Sequence, residues 1–120
     1  MTKVTNLLFI CSRNQWRSPT AEKVWNNIPN FKAKSAGTSP NAKKVVSLAD
    51  AKKVVSLADI RWADFIFVME EKHKNRLIAK FTQLIEHKQI YVLEIPDNYK
   101  YMDLELITEI TEKVKVFLKY

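Results

Sequence analysis

Glycine and cysteine each occur once in this chain of 120 residues, as Gly37 and Cys11, and histidine occurs twice. A single cysteine excludes an intramolecular disulfide and argues against a clustered thiolate metal site. The two histidines, His73 and His87, follow no ligand spacing and stand among lysines and glutamates, so both read as surface residues and no metal or other cofactor is implied. The lone glycine is expected to mark a backbone turn that other residues make only at a cost. No apolar run approaches the roughly 18 residues that a membrane helix needs, which removes a membrane partner from the expectation. The chain passes directly into a strand pattern without a secretory leader, so a cytoplasmic location with Cys11 reduced is expected. The length suits one domain, residues 1–120, with a single core.

Acidic residues are also scarce. There are 13 against 20 Lys and Arg, which leaves a net charge of +7 and favours anionic partners. Phosphorylated substrates, nucleic acid and acidic lipid surfaces all answer to that description. The lysines are spread over most of the chain without interleaved aromatics or a nucleic-acid motif, so a solvated face explains them and nucleic acid ranks last.

What is present is a regular alternation. Residues 4–10 are a nearly continuous apolar run, as in a strand buried on both faces. Residues 20–27 have helical character and stop at Pro29. Further strands are expected at 31–36, 64–69 and 89–94. Helical pieces are expected to end near Trp62, to span 70–80 with Leu77 and Ile78 inward, and to span 104–118 with Leu106, Ile110, Val114 and Phe117 on one side. This predicts an α/β fold: a four-stranded parallel sheet with helices on both faces. The loop after the first strand then lies at a topological switch point, where such sheets bind ligands.

Residues 42–50 (Ala-Lys-Lys-Val-Val-Ser-Leu-Ala-Asp) recur unchanged at 51–59. Two copies are too few for a solenoid and have the look of a tandem duplication. Nine residues turn a helix by about 900°, which leaves the apolar face half a turn out, so one continuous helix cannot span both copies. A break, a loop-out or an exchange between chains is expected, and the last would give a domain-swapped dimer in place of a monomer. Each copy ends in Ser-x-x-Asp, a cap signature at Ser47 or Ser56, and the copy beside Ile60 is expected to take the ordinary position. Leu57→Ala is accordingly expected to destabilise more than Leu48→Ala.

The stretch that carries chemistry is Cys11-Ser12-Arg13-Asn14-Gln15-Trp16-Arg17-Ser18-Pro19. A cysteine and an arginine six positions apart, at a strand-to-helix turn, suit a phosphate cradle with a built-in nucleophile. Loop N–H groups converge on one point there, and the following helix adds partial positive charge. Arg17 supplies a bidentate clamp for phosphate oxygens. The same field favours the thiolate of Cys11, the form that attacks. Ser18 fits a helix N-cap with Pro19 at the first helical position, and its hydroxyl is also within reach of the thiolate.

With Cys11, Asn14, Arg17, Ser18 and Pro19 in register, followed by Ala21 and Glu22, the chain resembles the low-molecular-weight protein tyrosine phosphatases. The resemblance covers most of the chain outside the repeat. It implies a cysteine-dependent tyrosine phosphatase working through a phosphocysteine intermediate, with Cys11, Arg17 and Asp97 catalytic and with Ser12, Arg13, Asn14, Gln15, Trp16, Arg17 and Ser18 around the phosphate. Asp97 is implied as the general acid because Pro96-Asp97-Asn98 follows the fourth strand where the family has an Asp-Pro segment. Asp103 is the runner-up. Tyr99 and Tyr101 are implied as a substrate wall, and Ser35 as a brace for Asn14. Implied partners are phosphorylated protein or small phosphomonoesters, with phosphate and other oxyanions as inhibitors.

Two positions depart from the family loop. Arg13 replaces a glycine, where it either strains the turn or adds a cation. Trp16 replaces a second cysteine, so the family's protective disulfide cannot form. The alternatives are a phosphate-binding or regulatory module with weak or no catalysis, and an arsenate reductase served by an external thiol.

Overall fold

The computed structural model describes residues 3–12, 16–38, 54–82 and 88–119. Four parallel strands form one sheet: β1 (Thr5–Cys11), β2 (Phe31–Gly37), β3 (Phe65–Val68) and β4 (Ile90–Val92), in the order β2-β1-β3-β4. Between and after them run α1 (Arg17–Asn26), α2 (Leu57–Trp62), α3 (Glu71–Lys80) and α4 (Leu104–Leu118). The parallel sheet and its alternation with helices are as the sequence pattern predicts.

Period-2 alternation along β1 distributes its apolar side chains between two cores. Leu7, Phe9 and Cys11 point to one face and join Trp25 of α1, Phe67 of β3 and Leu106, Ile110 and Val114 of α4. Leu8 and Ile10 point to the other and join Ile60 of α2, Ile66 and Val68 of β3 and Leu77 of α3. Helices thus cover both faces, which is why β1 tolerates no polar residue between Leu7 and Cys11. Stacked rings of Phe9 and Phe67, with centroids 5.5 Å apart, stiffen the first core below the functional end of the sheet.

Several local expectations are corrected. Helix α1 begins at Arg17 with Trp16 at the cap position, so Ser18 lies one residue inside the helix and is not its N-cap. Gly37 is an extended residue of β2 without positive φ. It sits opposite Cys11 and bridges Val54 on its other side, so a strand position explains the glycine here and a turn does not. Positive φ occurs instead at Asn30, Glu94, Met102 and Lys119. Ile78 is 38% exposed, whereas Leu77 is buried, because adjacent helical residues diverge by about 100°. In the second repeat copy, Val55 is buried and Ser56 caps α2 in a box with Asp59. Leu57 is 42% exposed, so Leu57→Ala removes little buried surface, and the expected comparison with Leu48→Ala turns on a residue outside the described ones. Residues 39–53, which include Leu48 and the whole first copy, lie outside the described residues.

Candidate active site

Strand β1 ends at Cys11 at the carboxyl edge of the sheet. The strand order reverses beside it, with β2 on one side and β3 on the other. Cys11 is buried, and the Ser18 hydroxyl donates to its Sγ at 2.6 Å from the first turn of α1. Being inside α1 aims Ser18 back at the strand end, an orientation that a capping role would not give.

Arg17 opens the same helix and is almost fully buried. Its Nη1 donates to Glu70 Oε2 at 2.8 Å and to the Ile95 carbonyl at 2.7 Å. Its Nε lies 3.6 Å from Asp97 Oδ1. A buried guanidinium needs such partners, since the uncompensated charge would cost several kcal/mol. The left-handed Glu94 (φ 56) bends the chain after β4 just before Ile95, and Lys113 donates to the Glu94 carbonyl at 3.0 Å. The segment carrying Asp97 is tied down at both ends: by Arg17 at Ile95 and by the Met102 N–H, which donates to Thr20 Oγ1 of α1. Asp97 itself is 60% exposed, open to solvent beside the buried arginine.

Two residues that the sequence reading did not select complete this edge. Glu70, just past β3, holds Arg17, and His73, one turn into α3, is buried, which corrects its reading as a surface residue. The Glu70 backbone N–H donates to His73 Nδ1 at 3.0 Å, while His73 Nε2 lies 2.9 Å from Ser12 Oγ. Burial, then the nearby Arg17 charge and that of Lys72, push the His73 pKa down to about 4 against the opposing pull of Glu70 and Asp97. Burial works to raise the Glu70 carboxyl, but the Arg17 hydrogen bond and the charges of Arg17, Lys72 and His73 outweigh it and hold the group below its ordinary value. Neither residue carries a local signal, since a glutamate and a histidine at the start of a charged helix read alike in sequence whether they face solvent or the end of β1.

Of the other predicted site residues, Arg13, Asn14 and Gln15 lie outside the described residues. Trp16 is 38% exposed. The Ser35 hydroxyl donates to Glu22 Oε1 of α1 at 2.9 Å, and its expected partner Asn14 lies outside the described residues. Tyr99 packs against the α1/α4 core and its hydroxyl donates to Glu109 Oε2 at 3.0 Å. Tyr101 is half-buried in the following turn. Asp103, the runner-up acid, accepts from the Glu105 N–H as the N-cap of α4, which accounts for that carboxylate.

The family whose model matches, over residues 6–120, is described as low molecular weight phosphotyrosine protein phosphatase. The chain belongs to this family. No curated protein matches it. Among solved structures it is similar to the YwlE arginine phosphatase from Geobacillus stearothermophilus, at 21% identity and TM-score 0.73, with 96% of this chain and 93% of that one covered. It is also similar to SP-PTP, a low molecular weight protein tyrosine phosphatase from Streptococcus pyogenes, at 19% identity and TM-score 0.74, covering 97% and 92%. A third is Vibrio vulnificus Wzb in complex with benzylphosphonate, at 22% identity and TM-score 0.71, covering 97% and 98%. At these identities the likeness is one of fold. Membership in the phosphatase family rests on the match over residues 6–120.

Proposed function

We propose that the chain hydrolyses phosphomonoesters, with phosphotyrosine in proteins as the leading substrate class, through a cysteinyl-phosphate intermediate. The observation that carries this reading is the convergence of Cys11, Ser18, Arg17 and Asp97 on one sheet edge, with the Ser18 hydroxyl on the sulfur and Arg17 Nε beside the carboxylate.

In the first step the Cys11 thiolate attacks phosphorus in line. The S–P bond forms as the P–O bond to the leaving group breaks, and protonated Asp97 gives its proton to the departing oxygen. Arg17, with Nη1 committed to Glu70 and Ile95, turns Nε and Nη2 to the equatorial oxygens, and the loop amides of residues 12–17 share that charge. In the second step the Asp97 carboxylate takes a proton from water, the water oxygen attacks phosphorus, and the thiolate leaves, stabilised by the Ser18 hydroxyl.

Hydrolysis of p-nitrophenyl phosphate by the intact chain, Cys11→Ser and Asp97→Asn tests the reading. The serine variant is expected to lose all turnover while still binding phosphate, and the asparagine variant to slow by about 10²–10⁴-fold. An intact chain that binds phosphate or vanadate without turnover would replace the enzyme by a binding module. Phosphotyrosine and phosphoarginine peptides compared side by side then assign the substrate class.

A further inference from the structure

We propose that His73 is a positioning residue for the phosphate loop. Its Nε2–H grips Ser12 Oγ and holds the first loop residue after the nucleophile in the arrangement that binds an oxyanion. This rests on the phosphatase reading above and adds to it a residue and a pH limit.

The tautomer follows by elimination. A backbone N–H only donates, so the Glu70 N–H at 3.0 Å requires a lone pair on His73 Nδ1. The neutral ring then carries its hydrogen on Nε2, and Ser12 Oγ at 2.9 Å is the acceptor. With a lone pair so engaged, the Ser12 hydroxyl keeps its own proton as a donor. The serine is fixed by an imidazole that is itself only 1% exposed and set into the start of α3.

The turn from Glu70 to His73 therefore grips the loop at both ends. Glu70 holds Arg17, 53 residues away in sequence, and His73 holds Ser12, 61 residues away. Fixing Ser12 and Arg17 before an anion arrives removes part of the ordering cost of binding it. The charged and titratable groups facing the ring are Arg17 from α1, Glu70 and Lys72 beside it, and Asp97 from the segment after β4. Protonation would place a hydrogen on Nδ1 against the Glu70 N–H and break the grip.

Sulfate is the probe, because it stays a dianion from pH 7 to pH 4 and needs no catalysis. Its dissociation constant is measured for the intact chain, His73→Asn, His73→Gln, Ser12→Ala and the Ser12→Ala/His73→Asn double variant. Asparagine offers an acceptor near the place of Nδ1 but falls short of Ser12, whereas the glutamine amide extends to the place of Nε2. At pH 7 His73→Asn and Ser12→Ala should each weaken sulfate about tenfold, the magnitude of one lost hydrogen bond. The double variant should be no weaker than either single one, and His73→Gln should bind within about twofold of the intact chain. As pH falls through about 4 the intact chain should lose affinity relative to His73→Gln, a change that a merely structural histidine would not produce. Folded His73→Asn and Ser12→Ala that bind sulfate like the intact chain overturn the proposal and leave the phosphatase reading standing. Should His73→Asn not fold, Ser12→Ala decides by the same criterion. An intact chain that binds neither sulfate nor phosphate and turns over no p-nitrophenyl phosphate overturns the phosphatase reading and this inference together.

Discussion

Arg17 and Ser18 are neighbours in sequence yet serve opposite ends of the chemistry, because consecutive positions in a helix point about 100° apart. Arg17 turns toward Glu70, Ile95 and Asp97, while Ser18 turns toward the sulfur of Cys11. A hydrogen bond to a charged group contributes about 1.5–3 kcal/mol, so Ser18→Ala is expected to slow alkylation of Cys11 by iodoacetamide at pH 6 by tenfold or more. Unchanged alkylation would show that the hydroxyl does not stabilise the thiolate. The cysteine, the arginine and the serine were legible in the sequence because one short stretch holds all three. Glu70 and His73 were not, since nothing local distinguishes a glutamate and a histidine that begin a charged helix from ones that face solvent. Only the pairing of β1 with β3 brings them to the loop.

Helix α2 shows how much an element of six residues depends on its cap. Ser56 accepts from the Asp59 N–H, and the Asp59 carboxylate accepts from the Ser56 N–H at 2.9 Å. Such a helix has too few internal hydrogen bonds to persist alone, so its start must be fixed from outside. Ser56→Ala is expected to cost about 1 kcal/mol, seen as a fall of roughly 4 °C in melting temperature. Leu57→Ala, at a mostly exposed position, should stay within about 0.5 kcal/mol. Equal shifts for the two would mean that the cap contributes nothing. The Ser-x-x-Asp signature located this helix start correctly. Beside that cap Leu57 is mostly exposed, and Val55 and Ile60 are the residues that reach the sheet.

For the molecule as a whole, His73 and Glu70 link folding to pH. The unfolded chain binds a proton at His73 near 6.5 and the folded chain near 4, so between those values the unfolded state holds more protons. The stability tied to neutral His73 is therefore complete above about pH 6.5 and is lost as pH falls toward 4. Glu70, held below its ordinary 4.5, contributes stability that is complete above that value and is lost as pH falls below it. The melting temperature should drop from pH 7 to pH 4, and His73→Gln should flatten the part of the drop above pH 4.5. A parallel curve for that variant would show that other groups carry the acid sensitivity.

The sequence by itself determined the parallel sheet, the helices on its two faces and the cysteine–arginine loop at the end of β1. Each of these is written in local periodicity or in one contiguous stretch, and local patterns survive being read in one dimension. Tertiary structure alone decided that Ser18 meets the sulfur from inside a helix, not from its cap, and that Ser35 turns to Glu22. It also decided that a histidine among lysines is buried against Ser12. Those assignments depend on contacts between separate elements, as far as 61 residues apart for His73 and Ser12, and such a partner leaves no mark on the residues next to it in the chain.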